Sequence, residues 1–226
     1  MPSPPVIDVD SLLAPISPEQ PAGEKLPDEV NRNLNEYRRI VQEAERPEDN
    51  KEAEWDKVIE LAKDTLQHKT KHLRPAVRLT EALVRQNHKD QVLGYAGLRD
   101  GLRLVRRLVE DCWDRLLPVP SEEEPPEEVL ELRAADLDWL DNAARGALFP
   151  NNIKMVPVFG PHPHYSLFDM QRSQSGKGPL PWPEFEKIIR ATRPENLRLA
   201  AEDAAESYQE IDQLIRSAAA KMERAA

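Results

Sequence analysis

Cysteine, aromatic residues and long apolar runs are scarce in this sequence, and each shortage argues against a class of protein. Cys112 is the only cysteine among 226 residues, so no disulfide can form within the chain, which is typical of a reducing compartment. No apolar run approaches the ~18 residues that a membrane-spanning helix requires. The first residues also lack the basic and apolar segments of a secretory signal. We therefore expect a cytoplasmic protein that does not insert into a membrane.

The sequence also has no excess of positively charged residues. The formal net charge is −10 at pH 7 and the sequence pI is about 5.1, whereas nucleic-acid binders usually present a basic face that neutralises phosphates. Arg103, Arg106 and Arg107 form a local basic run, but acidic residues are interleaved with them, which indicates a solvated helix face. The composition predicts no nucleic-acid partner.

What the chain does have is apolar residues at three- and four-residue spacing, the period of an amphipathic helix. The clearest stripe consists of Leu98, Leu102, Val105, Val109, Cys112 and Leu116. Trp113 widens this stripe, so we expect its side chain in the core. Similar patterns predict helices over about 30–44, 52–67, 72–83 and 129–148, and a short helix that starts at Pro183. The sequence therefore predicts an all-α fold, an irregular bundle of antiparallel helices.

The chain divides by composition into four parts. Residues 1–27 are rich in proline and have little helical periodicity, which predicts an extended N-terminal arm that packs on the core. Residues 28–150 carry the helical core. Residues 151–193 are predicted to form a long irregular loop, strand-like from Ile153 to Phe159, and a short helix that completes the domain. Residues 194–226 are predicted to form a long C-terminal helix that could lead into a further C-terminal region.

The final helix carries an apolar seam over about thirty residues, or roughly 45 Å at 1.5 Å per residue. A seam of this length favours a helical partner. The half of the helix beyond Tyr208 is predicted to extend past the domain. We therefore expect Tyr208, Ile211, Ile215 and Met222 to form an interface with a partner protein or with a second copy of the chain.

One short segment contains every residue type of a Ser-His-Asp hydrolase: His162, His164, Ser166 and Asp169. Catalytic triads usually draw their residues from separate elements that hold the geometry. The sequence around Ser166 also lacks the G-x-S-x-G pattern of a nucleophile elbow. We interpret the segment as a polar loop, and a hydrolase that uses residues 162–169 remains the enzyme alternative.

Metal and phosphate motifs are incomplete. His68 and His72 are four residues apart, as two metal ligands on one helix face would be, but Pro75 indicates a helix boundary between them. Residues 175–178 (SGKG) lack the first glycine and the hydroxyl of a phosphate loop. We predict no catalytic, metal-binding or cofactor-binding residue, and no cofactor.

Several stretches together resemble one known family. Residues 12–18 read LLAPISP and residues 21–24 read PAGE. Residues 71–74 read KHLR, residues 97–102 read GLRDGL, and residues 112–114 read CWD. In this order and spacing they resemble the ImpA-type N-terminal domain of the TssA proteins of the bacterial type VI secretion system.

This resemblance covers roughly residues 11–190 and carries expectations about function. It implies a non-enzymatic scaffold or adaptor on the cytoplasmic side of the secretion machine, acting in baseplate assembly and in biogenesis of the tube and sheath. The implied partners are baseplate, sheath or tube proteins. A helical adaptor of an unrelated assembly is the alternative. The sequence departs from the family at Lys25, where an acidic residue is expected, and at His72, where an aspartate would cap the helix.

Overall fold

The computed structural model of the chain describes residues 2–39, 53–85, 87–88, 91–122, 124–141, 149–162 and 164–225. It is 68% helical, which confirms the predicted helix-dominated fold. The α-helices are α1 (Val9–Leu13), α2 (Asp28–Tyr37), α3 (Trp55–His68), α4 (Leu73–Arg85), α5 (Gly94–Cys112), α6 (Pro126–Leu137), α7 (Leu167–Gln174), α8 (Trp182–Ala191) and α9 (Pro194–Ala225). Strand β1 (Asn87–His88) pairs antiparallel with β2 (Gln91–Val92), and β3 (Pro157–Phe159) pairs antiparallel with β4 (Tyr165–Ser166).

Helix α5 packs against both α4 and α9 and so organises the core. Two glycines bring its backbone close to α4. A Cβ atom at Gly101 would lie 2.8 Å from Thr80 Cα, and one at Gly97 would lie 2.5 Å from the carbonyl oxygen of Leu83. Glycine is required at such a close approach because any side chain would push the two helices apart. As a result, α4 is buried at every position from 75 to 84.

Trp113 lies in the core, as predicted. Helix α5 ends at Cys112, and a 3₁₀ turn over Trp113–Arg115 continues the chain. The Trp113 side chain is only 5% exposed, and the guanidinium of Arg133 lies 4.6 Å from its ring centroid.

The N-terminal arm is not extended throughout, because residues 9–13 form α1. Asp8 begins this helix: its carboxylate accepts a hydrogen bond from the backbone N–H of Ser11 at 3.2 Å, as an N-cap residue does. The buried ammonium of Lys71 then ties α1 to the end of α3. It donates to the carbonyl oxygens of Leu12 at 2.8 Å and Leu66 at 2.5 Å.

His72 takes the capping role for which the family resemblance implied an aspartate. Its Nδ1 accepts a hydrogen bond from the backbone N–H of Arg74 at 3.1 Å, at the start of α4. Burial, together with the charges of Arg74 and Arg133, lowers the pKa of His72 to about 3. The imidazole is therefore neutral at pH 7, and its Nδ1 is free to accept.

The predicted boundaries were wrong in three segments. The helix expected over about 30–44 is α2, which ends at Tyr37. The helix expected over 129–148 is α6, which ends at Leu137. It gives way to a tighter 3₁₀ turn over Asp138–Leu140 that carries the indole of Trp139 to α4. Residues 40–44 and 142–148 of the predicted helices lie outside the described residues. The strand expected from Ile153 starts only at Pro157, because Asn151–Met155 is a 3₁₀ helix; short apolar runs do not distinguish strand from helix.

Candidate functional site

Buried ion pairs hold α9 against α5. The guanidinium of Arg99 donates from Nε to Asp100 at 2.7 Å and from Nη1 to Asp203 of α9 at 2.5 Å. The same Nη1 reaches the carbonyl oxygen of Ser3 at 2.8 Å, which ties the N-terminus to this cluster. Burial opposes the charge on Arg99 most strongly, but the hydrogen bond and charge of Asp100 and the charge of Asp203 outweigh it and raise the pKa of Arg99.

A second set of ion pairs lies further along the two helices. The two carboxylate oxygens of Glu210 each accept from a different arginine of α5, one from Arg103 Nε at 2.7 Å and one from Arg106 Nε at 2.6 Å. Arg106 also binds Glu110, which in turn accepts from the hydroxyl of Ser217 at 2.7 Å. Because these pairs occupy one face of α9, they fix how the helix is rotated about its axis.

With α9 rotated in this way, an apolar cleft of about 510 Å³ forms between α9, α5 and the segments on either side of residues 142–148. Helix α5 contributes Leu98 and Leu102, and the segment around Pro150 contributes Phe149 and Ile153. The full lining is Tyr95, Leu98, Leu102, Leu137, Leu140, Asp141, Phe149, Pro150, Ile153, Ala204, Ser207, Tyr208, Ile211, Leu214, Ile215 and Ala218.

Three of the four residues predicted for an interface line this cleft. Tyr208 and Ile215 are 73% and 62% exposed, and Ile211 is half-buried and packs against the core. Met222 also packs against the core but does not line the cleft. The half of α9 beyond Tyr208 is also in contact with the domain, because Leu214 is buried.

The chemistry of the cleft is that of an apolar binding surface. Its volume lies within the ~300–1,000 Å³ typical of small-molecule pockets. Its described polar groups include the hydroxyl of Tyr95, which donates to the carbonyl oxygen of Ile153 at 3.3 Å, and Asp141 and Ser207 in the lining. Burial raises the pKa of Tyr95, so this phenol stays neutral and keeps its hydrogen bond. The cleft can therefore receive apolar side chains.

Sequence reasoning missed how the cleft is assembled. Leu98 and Leu102 were assigned to the core stripe, and Phe149 and Ile153 were assigned to no site. Their approach to Tyr208 depends on pairing between helices that are far apart in the chain. The available signal was the run of large apolar residues on α9 that includes Tyr208, Ile211 and Ile215.

The segment of the hydrolase alternative has a structural role in α7. Ser166 Oγ accepts from the backbone N–H of Asp169 at 3.2 Å and donates to the Asp169 carboxylate at 2.7 Å. The same carboxylate accepts from the backbone N–H of Ser166 at 2.9 Å. This is a capping box, with both side chains satisfying the first turn of a helix. His162 and His164 lie on the surface.

The described ranges contain no group of three or more His, Cys, Asp or Glu side chains placed to hold a metal ion. Within the same ranges, no helix combines the length and apolar character needed to cross a bilayer.

Comparison with known proteins gives three matches. A model of the family described as ImpA, N-terminal, type VI secretion system matches residues 13–142. Type VI secretion system component TssA1 of Pseudomonas aeruginosa is 35% identical over 120 residues, which is 50% of this chain and 32% of that protein. The match thus spans about a third of the length of that relative.

The third match is a solved structure from Burkholderia cenocepacia, the N-terminal domain including the conserved ImpA_N region of the TssA component of the type VI secretion system. It superimposes with a TM-score of 0.58 at 23% identity and covers 96% of this chain and 89% of that chain. At this identity the likeness shows a shared fold.

Proposed function

Because this chain belongs to the ImpA N-terminal family of the type VI secretion system, we propose that it is a non-enzymatic scaffold or adaptor of that system. In this role it acts on the cytoplasmic side, in baseplate assembly and in biogenesis of the tube and sheath. It works through protein–protein contacts with baseplate, sheath or tube proteins.

The observation that carries the proposal is the apolar cleft beside α9. Tyr208 and Ile215 expose most of their side chains at its edge, and exposed apolar surface of this kind marks interaction sites. An amphipathic helix of a partner would place apolar residues, repeated every three or four positions, into such a groove. The cleft therefore fits a helical segment of another secretion component better than a polar substrate.

The ion pairs between α5 and α9 support the same role. Arg99, Arg103 and Arg106 anchor α9 through Asp203 and Glu210, so Tyr208 is presented on a rigid helix. A binding surface that is already ordered loses less conformational entropy when a partner docks.

The test is to place charges in the cleft and measure binding. We expect Tyr208→Glu with Ile215→Glu to lower affinity for the baseplate, sheath or tube protein that binds the wild-type chain by about 100-fold or more, because two carboxylates would be buried against apolar surface. The matched control is Gln209→Glu with Gln213→Glu. It adds the same two charges at exposed positions of α9 that do not line the cleft, and it should bind as the wild type does.

Pull-downs with each purified secretion component, followed by calorimetry, measure the affinity. Light scattering on the same proteins shows whether the chain self-associates through this helix. If both double variants bind equally well, the cleft is not the partner surface. If the wild-type chain binds none of the baseplate, sheath or tube proteins, the scaffold role itself is wrong.

A further inference from the structure

A second, polar pocket lies between α2, α4 and the end of α6, and it shares no lining residue with the apolar cleft. Its volume is about 160 Å³. Asn31 and Asn35 of α2 lie at one side, and Arg74 and Arg78 of α4 lie beside them. Ala135, Asp136 and Trp139 complete the lining.

Arg78 is the unusual residue of this pocket. Its side chain is buried, with a residue exposure of 7%, and its guanidinium lies 3.1 Å from the ring centroid of Trp139. Nη2 makes one long hydrogen bond to Asn35 Oδ1 at 3.4 Å. Within the described part of the chain, Nε and Nη1 have no hydrogen-bond partner. A guanidinium offers five N–H donors, and leaving buried donors of a cation unsatisfied is costly.

The two nearby carboxylates already bind other groups. Glu81 accepts from Arg38 at 3.1 and 3.2 Å and from the indole N–H of Trp139 at 3.0 Å. Asp136 accepts from Arg74 Nε at 2.8 Å. Among the described residues, the two carboxylates that act on the charge of Arg78 are thus both engaged by other groups.

The imidazole of His72, which lies near Asp136, adds no charge to the pocket at pH 7. It lies 3.4 Å from Asp136, but its lowered pKa of about 3 keeps it uncharged at pH 7. Burial and the charge of Arg38 lower the pKa of Arg78 to about 9, against the opposing charges of Glu81 and Asp136. Arg78 therefore still carries its charge at pH 7, and burial destabilises that charge.

We propose that this pocket binds the carboxylate of an aspartate or glutamate side chain presented by a protein partner, with Arg78 as its main ligand. Nε and an Nη of one guanidinium form the fork that binds a carboxylate through two parallel hydrogen bonds. The amides of Asn31 and Asn35 can donate to the same group.

Size and charge favour this occupant over others. The pocket has a volume of about 160 Å³ beside Arg78, which accommodates the carboxylate of one side chain. A single carboxylate would balance the charge of Arg78. A phosphate, with a charge of about −1.5 to −2 at pH 7, would overcompensate it and would face Glu81 and Asp136.

The experiment follows the Nε–Hε resonance of Arg78 by NMR in the ¹⁵N-labelled 226-residue chain, assigned by its loss in Arg78→Lys. The probes are N-acetylglutamate N-methylamide, the matching glutamine compound and inorganic phosphate. We expect a saturable shift with the glutamate probe and binding at least ~10-fold weaker with the neutral glutamine probe. Arg78→Gln should abolish the glutamate response elsewhere in the pocket, while Arg190→Gln, at an exposed position, should leave it unchanged.

Three results would overturn the proposal: no shift with glutamate, equal shifts with glutamate and glutamine, or tighter binding of phosphate than of glutamate. The last result would assign the pocket to phosphate groups instead. The titrations of the wild-type chain test whether the pocket binds a carboxylate even if Arg78→Gln does not fold. Because the probes are small molecules, the outcome is independent of whether the apolar cleft binds a secretion component.

Discussion

Arg99 of α5 donates a 2.5 Å hydrogen bond from Nη1 to Oδ1 of Asp203 on α9, although 104 residues separate the two in the chain. Both side chains are almost completely buried, at 2% and 4% exposure. A buried ion pair adds little stability relative to apolar residues, but removing one partner leaves an uncompensated charge. The position of α9, and hence of the apolar cleft, depends on this pair.

Asp203→Ala is expected to lower the free energy of unfolding by ~1–3 kcal/mol, because the buried Nη1 of Arg99 and the backbone N–H of Ser3 lose an acceptor while Asp100 still faces Arg99. Urea unfolding followed by circular dichroism measures the change. Asp212→Ala is the control: it breaks an exposed pair with Arg216 on the same helix and should cost less than ~1 kcal/mol. Equal losses in the two variants would contradict the anchoring role of Asp203.

Trp113→Ala is expected to lower the free energy of unfolding by ~3–5 kcal/mol, the usual range when a buried aromatic is truncated. The substitution also removes the ring against which Arg133 packs. Tyr208→Ala, which truncates an aromatic that is 73% exposed, should change stability by less than ~1 kcal/mol. Denaturant titration compares the two, and near-wild-type stability of Trp113→Ala would refute the core assignment.

His72 makes the stability of the fold depend on pH. Its pKa is about 3 in the folded state and 6.5 in the unfolded chain. Between these values the unfolded state binds more protons, so stability falls as pH falls from about 6.5 towards 3, by up to ~1.4 kcal/mol per pH unit. Burial raises the pKa of Asp136, and this shift makes stability rise as pH falls. The same shift is present in the wild type and in every variant compared.

His72→Asn removes this titration and keeps an acceptor for the N–H of Arg74, because asparagine is a good N-cap. Between pH 6 and 4 its stability should decrease less steeply than that of the wild type, by about 1 kcal/mol per pH unit. His162→Asn, at an exposed loop position, should follow the wild-type curve. Parallel curves for His72→Asn and wild type, measured by urea unfolding at each pH, would show that the imidazole titrates normally.

Ser166→Ala tests the capping box against the hydrolase alternative. Loss of the N-cap of α7 should lower the free energy of unfolding by ~1 kcal/mol, whereas Ser175→Ala, at an exposed position after the helix, should change it by less than ~0.5 kcal/mol. A fluorophosphonate probe should not label the wild-type protein. If the probe labels the wild-type protein but not Ser166→Ala, Ser166 is a nucleophile and the interpretation as a non-enzymatic scaffold is wrong.

The sequence alone was sufficient to predict the long helices and much of the core, but not α1 or the 3₁₀ helix over Asn151–Met155. Residues 98–116 repeat apolar side chains at the helical period, and this local pattern places Trp113 and Cys112 inside. Burying such a stripe stabilises the fold whichever element packs against it. The stripe therefore identifies the buried face of a helix before its packing partner is known. The same reasoning identified Tyr208 and Ile215 as apolar residues in need of a partner.

The tertiary structure decided which of these residues are covered and which charges are buried. Ile211 and Met222 belong to the same three- and four-residue repeat as Tyr208 and Ile215, yet they pack on the core because the arginines of α5 bind Glu210 and set the rotation of α9. In sequence, Arg78 is an ordinary charge on a helix. It becomes a buried cation with unmatched donors only because α4 is covered on all sides. Burial of a charge depends on contacts between distant segments, and local periodicity carries no information about them.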